Sequence, residues 1–77
     1  MELGYRHGFA ITPNDSADLG TPTQAIWVGG TGDLTVLLEN DTVAVQFVNI
    51  PDGTLLQIRA VRVYDTGTDA TNLVGLY

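Results

Sequence analysis

The sequence predicts an all-β domain: a small antiparallel β-barrel or sandwich of about six short strands, with an extended N-terminal arm. The prediction rests on short β-type runs that recur at spacings of about 8–12 residues. Clusters of Pro, Asn, Asp, Ser and Gly, which cannot continue a helix, separate those runs. Apolar residues over Asp33–Glu39 and Val43–Asn49 alternate with the two-residue period of a strand.

Residues 1–8 read as the arm, because they mix polarities without a period. Residues 9–77 read as one β domain. Phe9–Thr12 is its first strand, ended by Pro13, which has no N–H for a ladder. Asn14–Asp18 is turn chemistry, since short polar side chains bond their own backbone. Leu19–Thr23 continues as loop. Ala25–Val28 is the next strand, and Gly29–Gly32 reads as a tight turn that ends it.

In Asp33–Glu39, Leu34, Val36 and Leu38 share one face. In Val43–Asn49, Val43, Val45 and Phe47 share one, with Ala44, Gln46 and Val48 opposite. Asn40–Asp41 between these runs reads as a hairpin turn. Ile50–Gly53 is another turn, with Pro and Gly where a turn needs them. Thr54–Tyr64 reads as the longest strand. Its apolar phase changes between Ala60 and Val61, as at a β-bulge or at a bend that lets one strand serve two sheets. Asp65–Thr71 is loop. Asn72–Tyr77 is the last strand, and its apolar, aromatic character favours docking over fraying.

Size and charge bound the function. A chain of 77 residues buries only about 60% of the surface its unfolded form exposes. Small domains add disulfides, a metal or oligomerisation. Cys is absent, and His7 is the sole His, so thiolate and His-based metal sites are excluded within one chain. Oligomerisation or docking on a larger body remains. The net charge is −6, from nine acidic residues against three Arg. Gripping nucleic acid requires Lys and Arg on phosphates, so nucleic acid and anionic membrane are poor partners. The segment Met1–Gly8 lacks the apolar core of an export signal, and no apolar run approaches a membrane span.

No catalytic, metal or cofactor site is expected. Asp65–Thr66–Gly67 matches the aspartic-protease triplet, in which paired carboxylates share a proton. The flanks Thr68–Asp69 are wrong for that family, and a turn is the simpler reading. Gly29–Gly32 lacks the Lys and the following helix of a phosphate loop. Asp15, Asp18, Asp33, Asp65 and Asp69 lack the spacing of an EF-hand, which leaves turn-starting Asp residues as the commoner case. Aromatic faces at Trp27, Tyr64 and Tyr77 could stack on sugars but form no clear cluster. Arg59 and Arg62 divide between surface ion pairing and an inter-subunit role. Trp27 is core or an interface anchor.

The blocks Phe9–Leu19, Pro22–Asp33, Ile50–Arg59 and Val61–Thr71, in that order, resemble the head spike base family of gene transfer agents and its tailed-phage relatives among small capsid decoration (cement) proteins. The likeness spans about residues 9–77. It implies a non-enzymatic virion protein on the outer surface of the capsid, made in the host bacterial cytoplasm. Its partner would be the major capsid protein. As cement it would form a homo-oligomer, preferably a trimer. The alternative is a pentamer at vertices, anchoring a spike fibre protein. Tyr5, Arg6 and His7 of the arm, and Asn14, Asp15 and Asp18 of the acidic loop, are the interface candidates, with Trp27, Arg59, Arg62 and Tyr77.

Overall fold

The computed structural model describes residues 4–77. The expected all-β fold forms: β1 (Gly8–Ala10), β2 (Ala25–Gly30), β3 (Gly32–Leu38), β4 (Val45–Ile50), β5 (Thr54–Leu56), β6 (Ala60–Val63) and β7 (Thr71–Leu76). One sheet has the order β1-β7-β2-β5 and the other β4-β3-β6. Every pairing is antiparallel.

The two sheets are joined by bent strands. Only Thr31 separates β2 from β3, and Pro51–Gly53 separate β4 from β5. Because β2 pairs with β5 and β3 with β4, this is one long hairpin folded across both sheets. Its inner faces supply Ile26 and Val28 from β2 and Leu34 and Val36 from β3, all fully buried. Val63 and Ala60 of β6 and Leu73 of β7 close the core. Each large aliphatic buried in this way contributes about 1.5–3 kcal/mol.

The run Gly29–Gly32 is not the turn expected from its composition. Gly29 and Gly30 lie in β2 and Gly32 in β3. A Cβ at Gly29 would lie 2.8 Å from the Asn72 Cβ, and one at Gly32 would lie 2.5 Å from the Ala70 nitrogen. These glycines let the bent strand pass against the start of β7, which is a role glycine has inside strands as well as in turns.

Thr54–Tyr64 is two strands, not one. β5 belongs to the first sheet and β6 to the second. Both devices suggested by the phase change occur. The chain crosses between sheets at Gln57–Arg59, and the β3–β6 register slips, with Leu37 opposite Arg62 but Leu38 opposite Ala60. Val61 is therefore the extra residue, and Ala60 and Val63 both point inward.

A second slip lies between β3 and β4, where Gly32 faces Ile50 and Leu34 faces Phe47. Asn49 takes φ +59° there. Its N–H donates to the Asp33 carboxylate at 2.9 Å.

The hairpin connection is longer than the two-residue turn expected at Asn40–Asp41. It runs from Glu39 to Ala44, closed by Asp41 N–H to the Leu38 carbonyl at 3.0 Å. Val43 consequently lies outside β4 and is 74% exposed.

Thr23 is the buried polar residue among the described residues. Its hydroxyl donates to the Ile58 carbonyl at 2.9 Å and accepts the Ala60 N–H at 3.0 Å. It thereby satisfies the backbone where β6 begins.

Candidate interaction surface

The β4–β3–β6 sheet has two very different rims. At the β6 rim the segment 12–23 lies against the strand. Asn14 N–H donates to the Val63 carbonyl, Leu19 N–H to Val61 and Thr23 N–H to Ala60, at 2.7–3.0 Å. Side chains fasten the same loop. The Arg62 Nε donates to Asp18 Oδ1 at 2.8 Å, and its Nη1 donates to the Asp15 carbonyl at 3.3 Å. The guanidinium lies 5.5 Å over the Tyr64 ring. Asp15 accepts the Thr66 N–H at 2.8 Å and also its hydroxyl. Those Thr66 hydrogen bonds, the side chain's first, hold the Asp15 carboxyl below its ordinary value. The hydrogen bond to Asp18 raises Arg62 above its own.

The structure therefore gathers three of the sequence's candidates, Asp15, Asp18 and Arg62, into one intramolecular lock. Asn14 accepts the Ser16 N–H at 2.9 Å within the loop, as an Asx turn. Arg59 is paired elsewhere, with its Nε and Nη2 on the Glu39 carboxylate at 3.0 and 3.1 Å. Arg59's hydrogen bond and charge lower Glu39, which raises Arg59 in turn. The fork borders an open hollow of about 370 Å³ lined by Leu38, Asn40, Asp41, Gln57 and Ile58. Both arginines thus make surface ion pairs, which are worth little in stability at such exposure.

The described part of the arm lies along the C-terminal strand; Met1–Leu3 lie outside the described residues. Arg6 and His7 N–H groups donate to the Tyr77 carbonyl at 2.9 and 2.7 Å, and Tyr77 N–H returns to the His7 carbonyl at 2.9 Å. The His7 and Tyr77 rings stack at 4.9 Å, and Phe9 meets Tyr77 edge-on at 5.9 Å. Tyr5 accepts a hydrogen bond from Gln57 at 3.2 Å. Arg6, His7 and Tyr77 are thus brought together, while Tyr5 reaches Gln57.

The apolar surface lies apart from these polar locks. Trp27 is 42% exposed. It stands opposite Leu55 on β5 and Val74 on β7, and Val74 stands opposite Ala10 on β1. Ala10, Val74, Trp27 and Leu55 therefore form one row across all four strands. None of the strands of that sheet contains a charged residue. Three further exposed valines lie at the edge of the other sheet: Val43 just before β4, Val45 opposite buried Val36 on the inner face, and Val48 on the outer face. From Thr42 to Ile58 the one charged residue is Asp52. The alternation in 43–49 signalled a strand but not which valines would stay uncovered.

Asp65–Thr66–Gly67 lies in the connection between β6 and β7, and Gly67 turns the chain at φ +85°. No group of three or more His, Cys, Asp or Glu suited to a metal occurs among the described residues.

Neither a protein-family model nor a curated protein matches this sequence. Among solved structures, the chain is similar to one from the capsid of a native gene transfer agent (GTA) particle, computed with C5 symmetry. The two share 35% identity and superpose with a TM-score of 0.86, over 96% of this chain and 84% of the other. The chain belongs to the family of this GTA capsid-particle protein. At 96% of this chain, the match takes in both sheets.

Proposed function

We propose that the chain is a structural protein of a phage-like head and not an enzyme. It is carried on the outer surface of the capsid, where it binds the major capsid protein and stabilises the assembled shell as a decoration protein. The family link to a chain of a GTA capsid is the observation that carries this reading. The surface is compatible with it. Acidic residues concentrate in loops, which suits a basic patch on a shell, and the uncharged apolar row at Trp27 suits protein contacts. A protein that binds assembled lattice and not free subunits stabilises it by mass action.

A second reading has the chain at capsid vertices as a pentamer anchoring a fibre. The C5 symmetry in which the related particle was computed favours it. A trimeric cement would instead occupy three-fold positions. Cryo-EM of particles carrying the labelled chain tests both. Density on the outer face at three-fold sites supports decoration, density confined to vertices supports the spike base, and absence of the chain from particles refutes the capsid role. Heads lacking a cement protein should burst at lower temperature than complete ones.

A further inference from the structure

We infer that the segment 12–22 is a strap that opens as a unit while the two sheets stay folded, and that Arg62 is its latch. The strap hangs between two fixed points. At one end Ile11 is buried and donates its N–H to the Leu73 carbonyl at 2.9 Å. At the other Thr23 is fully buried, and its hydroxyl bonds both Ile58 and Ala60. No residue between them is buried, and Leu19 is the one aliphatic among them that packs against the core. A segment with so little buried apolar surface opens at lower cost than the body it covers.

What closes the strap is polar and lies at the surface. Backbone bonds run from the Asn14 and Leu19 N–H groups to the Val63 and Val61 carbonyls. Two side chains of the body supply further ties. Arg62 reaches the Asp18 carboxylate and the Asp15 carbonyl, and Thr66 donates twice to the Asp15 carboxylate. Arg62 is the central tie. It belongs to the strand that the strap covers, its guanidinium is steadied over the Tyr64 ring, and its planar fork serves two strap residues at once. A lysine has no such fork.

Opening bares the Val61 and Val63 carbonyls, which the strap otherwise fills with N–H groups of the same chain. An uncovered strand edge invites pairing with another strand. The strap is therefore an autoinhibitory contact on the β6 edge. The inference does not depend on the capsid reading, since it concerns the isolated chain.

Hydrogen exchange of the full chain, followed residue by residue in NMR spectra, tests it. The Asn14 and Leu19 amides should share one protection factor, lower than those of the β2–β7 pairing. Small additions of urea should leave it unchanged while the β2–β7 amides lose protection, because strap opening exposes little surface. Arg62→Gln should lower protection at Asn14 and Leu19 about fivefold, the top of the usual range for an exposed ion pair, and Arg62→Lys should recover only part of it. Ile26→Val, a core change mild enough to leave the chain folded, should lower protection across β2–β7 and leave Asn14 and Leu19 as they were. The inference is overturned if Asn14 and Leu19 show no protection, lose it in urea in step with β2–β7, keep it in Arg62→Gln, or follow β2–β7 in Ile26→Val.

Discussion

Asp33 and Asp69 hold each other reciprocally. The Asp33 N–H donates to Asp69 Oδ1 at 2.6 Å, and the Asp33 carbonyl accepts the N–H groups of Asp69 and Ala70 at 3.0 and 3.1 Å. With Asn49 N–H on the Asp33 carboxylate, the pair ties the starts of β3 and β7 to the irregularity in β4. Asp69→Ala removes the charged acceptor. A hydrogen bond to a charged group is worth about 1.5–3 kcal/mol net, and in a domain of this size each kcal/mol lowers Tm by about 4–8 °C. Asp69→Asn keeps an acceptor oxygen and should lose less, as thermal denaturation followed by circular dichroism will show.

Thr23→Val is the sharper test of the core. Valine matches the shape of threonine but leaves the Ala60 N–H and the Ile58 carbonyl without their partner. Each buried group left unsatisfied costs about 1–3 kcal/mol. A domain this small holds only about 3–5 kcal/mol in its core. The expected result is a variant unfolded, or close to it, at ordinary temperature, read from the urea midpoint. Thr23→Ser, which retains the hydroxyl, should stay folded.

Gly75→Ala tests the terminal cluster. A Cβ at Gly75 would lie 2.6 Å from the Phe9 ring. Phe9 must then turn away, and its edge contact with Tyr77 goes with it. Overpacking of this kind costs about 1–3 kcal/mol. The aromatic signals of Phe9 and Tyr77 in NMR spectra should shift, while those of β3 and β4 residues stay in place.

Acid should act through the loop lock. Asp15 is held below its ordinary 3.8 by Thr66, and Glu39 below its ordinary 4.5 by Arg59. A carboxyl lowered on folding contributes stability that is full above its unfolded value and disappears as pH falls through the lowered native one. Asp15→Asn should therefore be less stable than wild type at neutral pH. The gap should narrow below about pH 4 and close once native Asp15 is protonated. Tm measured against pH for the two proteins checks this. A gap that is constant across the range would show that protonation of Asp15 is not the cause.

Much of the fold was legible because the strands carry strong local signals. Leu34 and Val36 alternate and do face the core, and Pro51–Gly53 does mark a change of direction. What local signals could not supply was pairing. Gly29–Gly32 has the composition of a turn, and its strand role depends on β7 passing some forty residues later in the chain. The break at Gln57–Arg59 was visible as a change of phase, but the sheet each half joins is a matter of tertiary contact. For the surface, residue type singled out Asp15, Asp18 and Arg62, and it could not tell that they meet across the loop 12–23. Trp27 carried its exposure in no local feature; its place in an outward row follows from the register with β5 and β7.

The hydrogen-bonded pairing of His7 with Tyr77 places the two ends of the folded body side by side. A short flexible tether from Tyr77 to Tyr5 would therefore span no more than neighbouring strands. The polypeptide could then be reopened at Asn40–Asp41, an exposed bend far along the sequence. Such a circular permutant would keep both sheets and move the attachment point for a fused cargo to the Asn40–Asp41 bend.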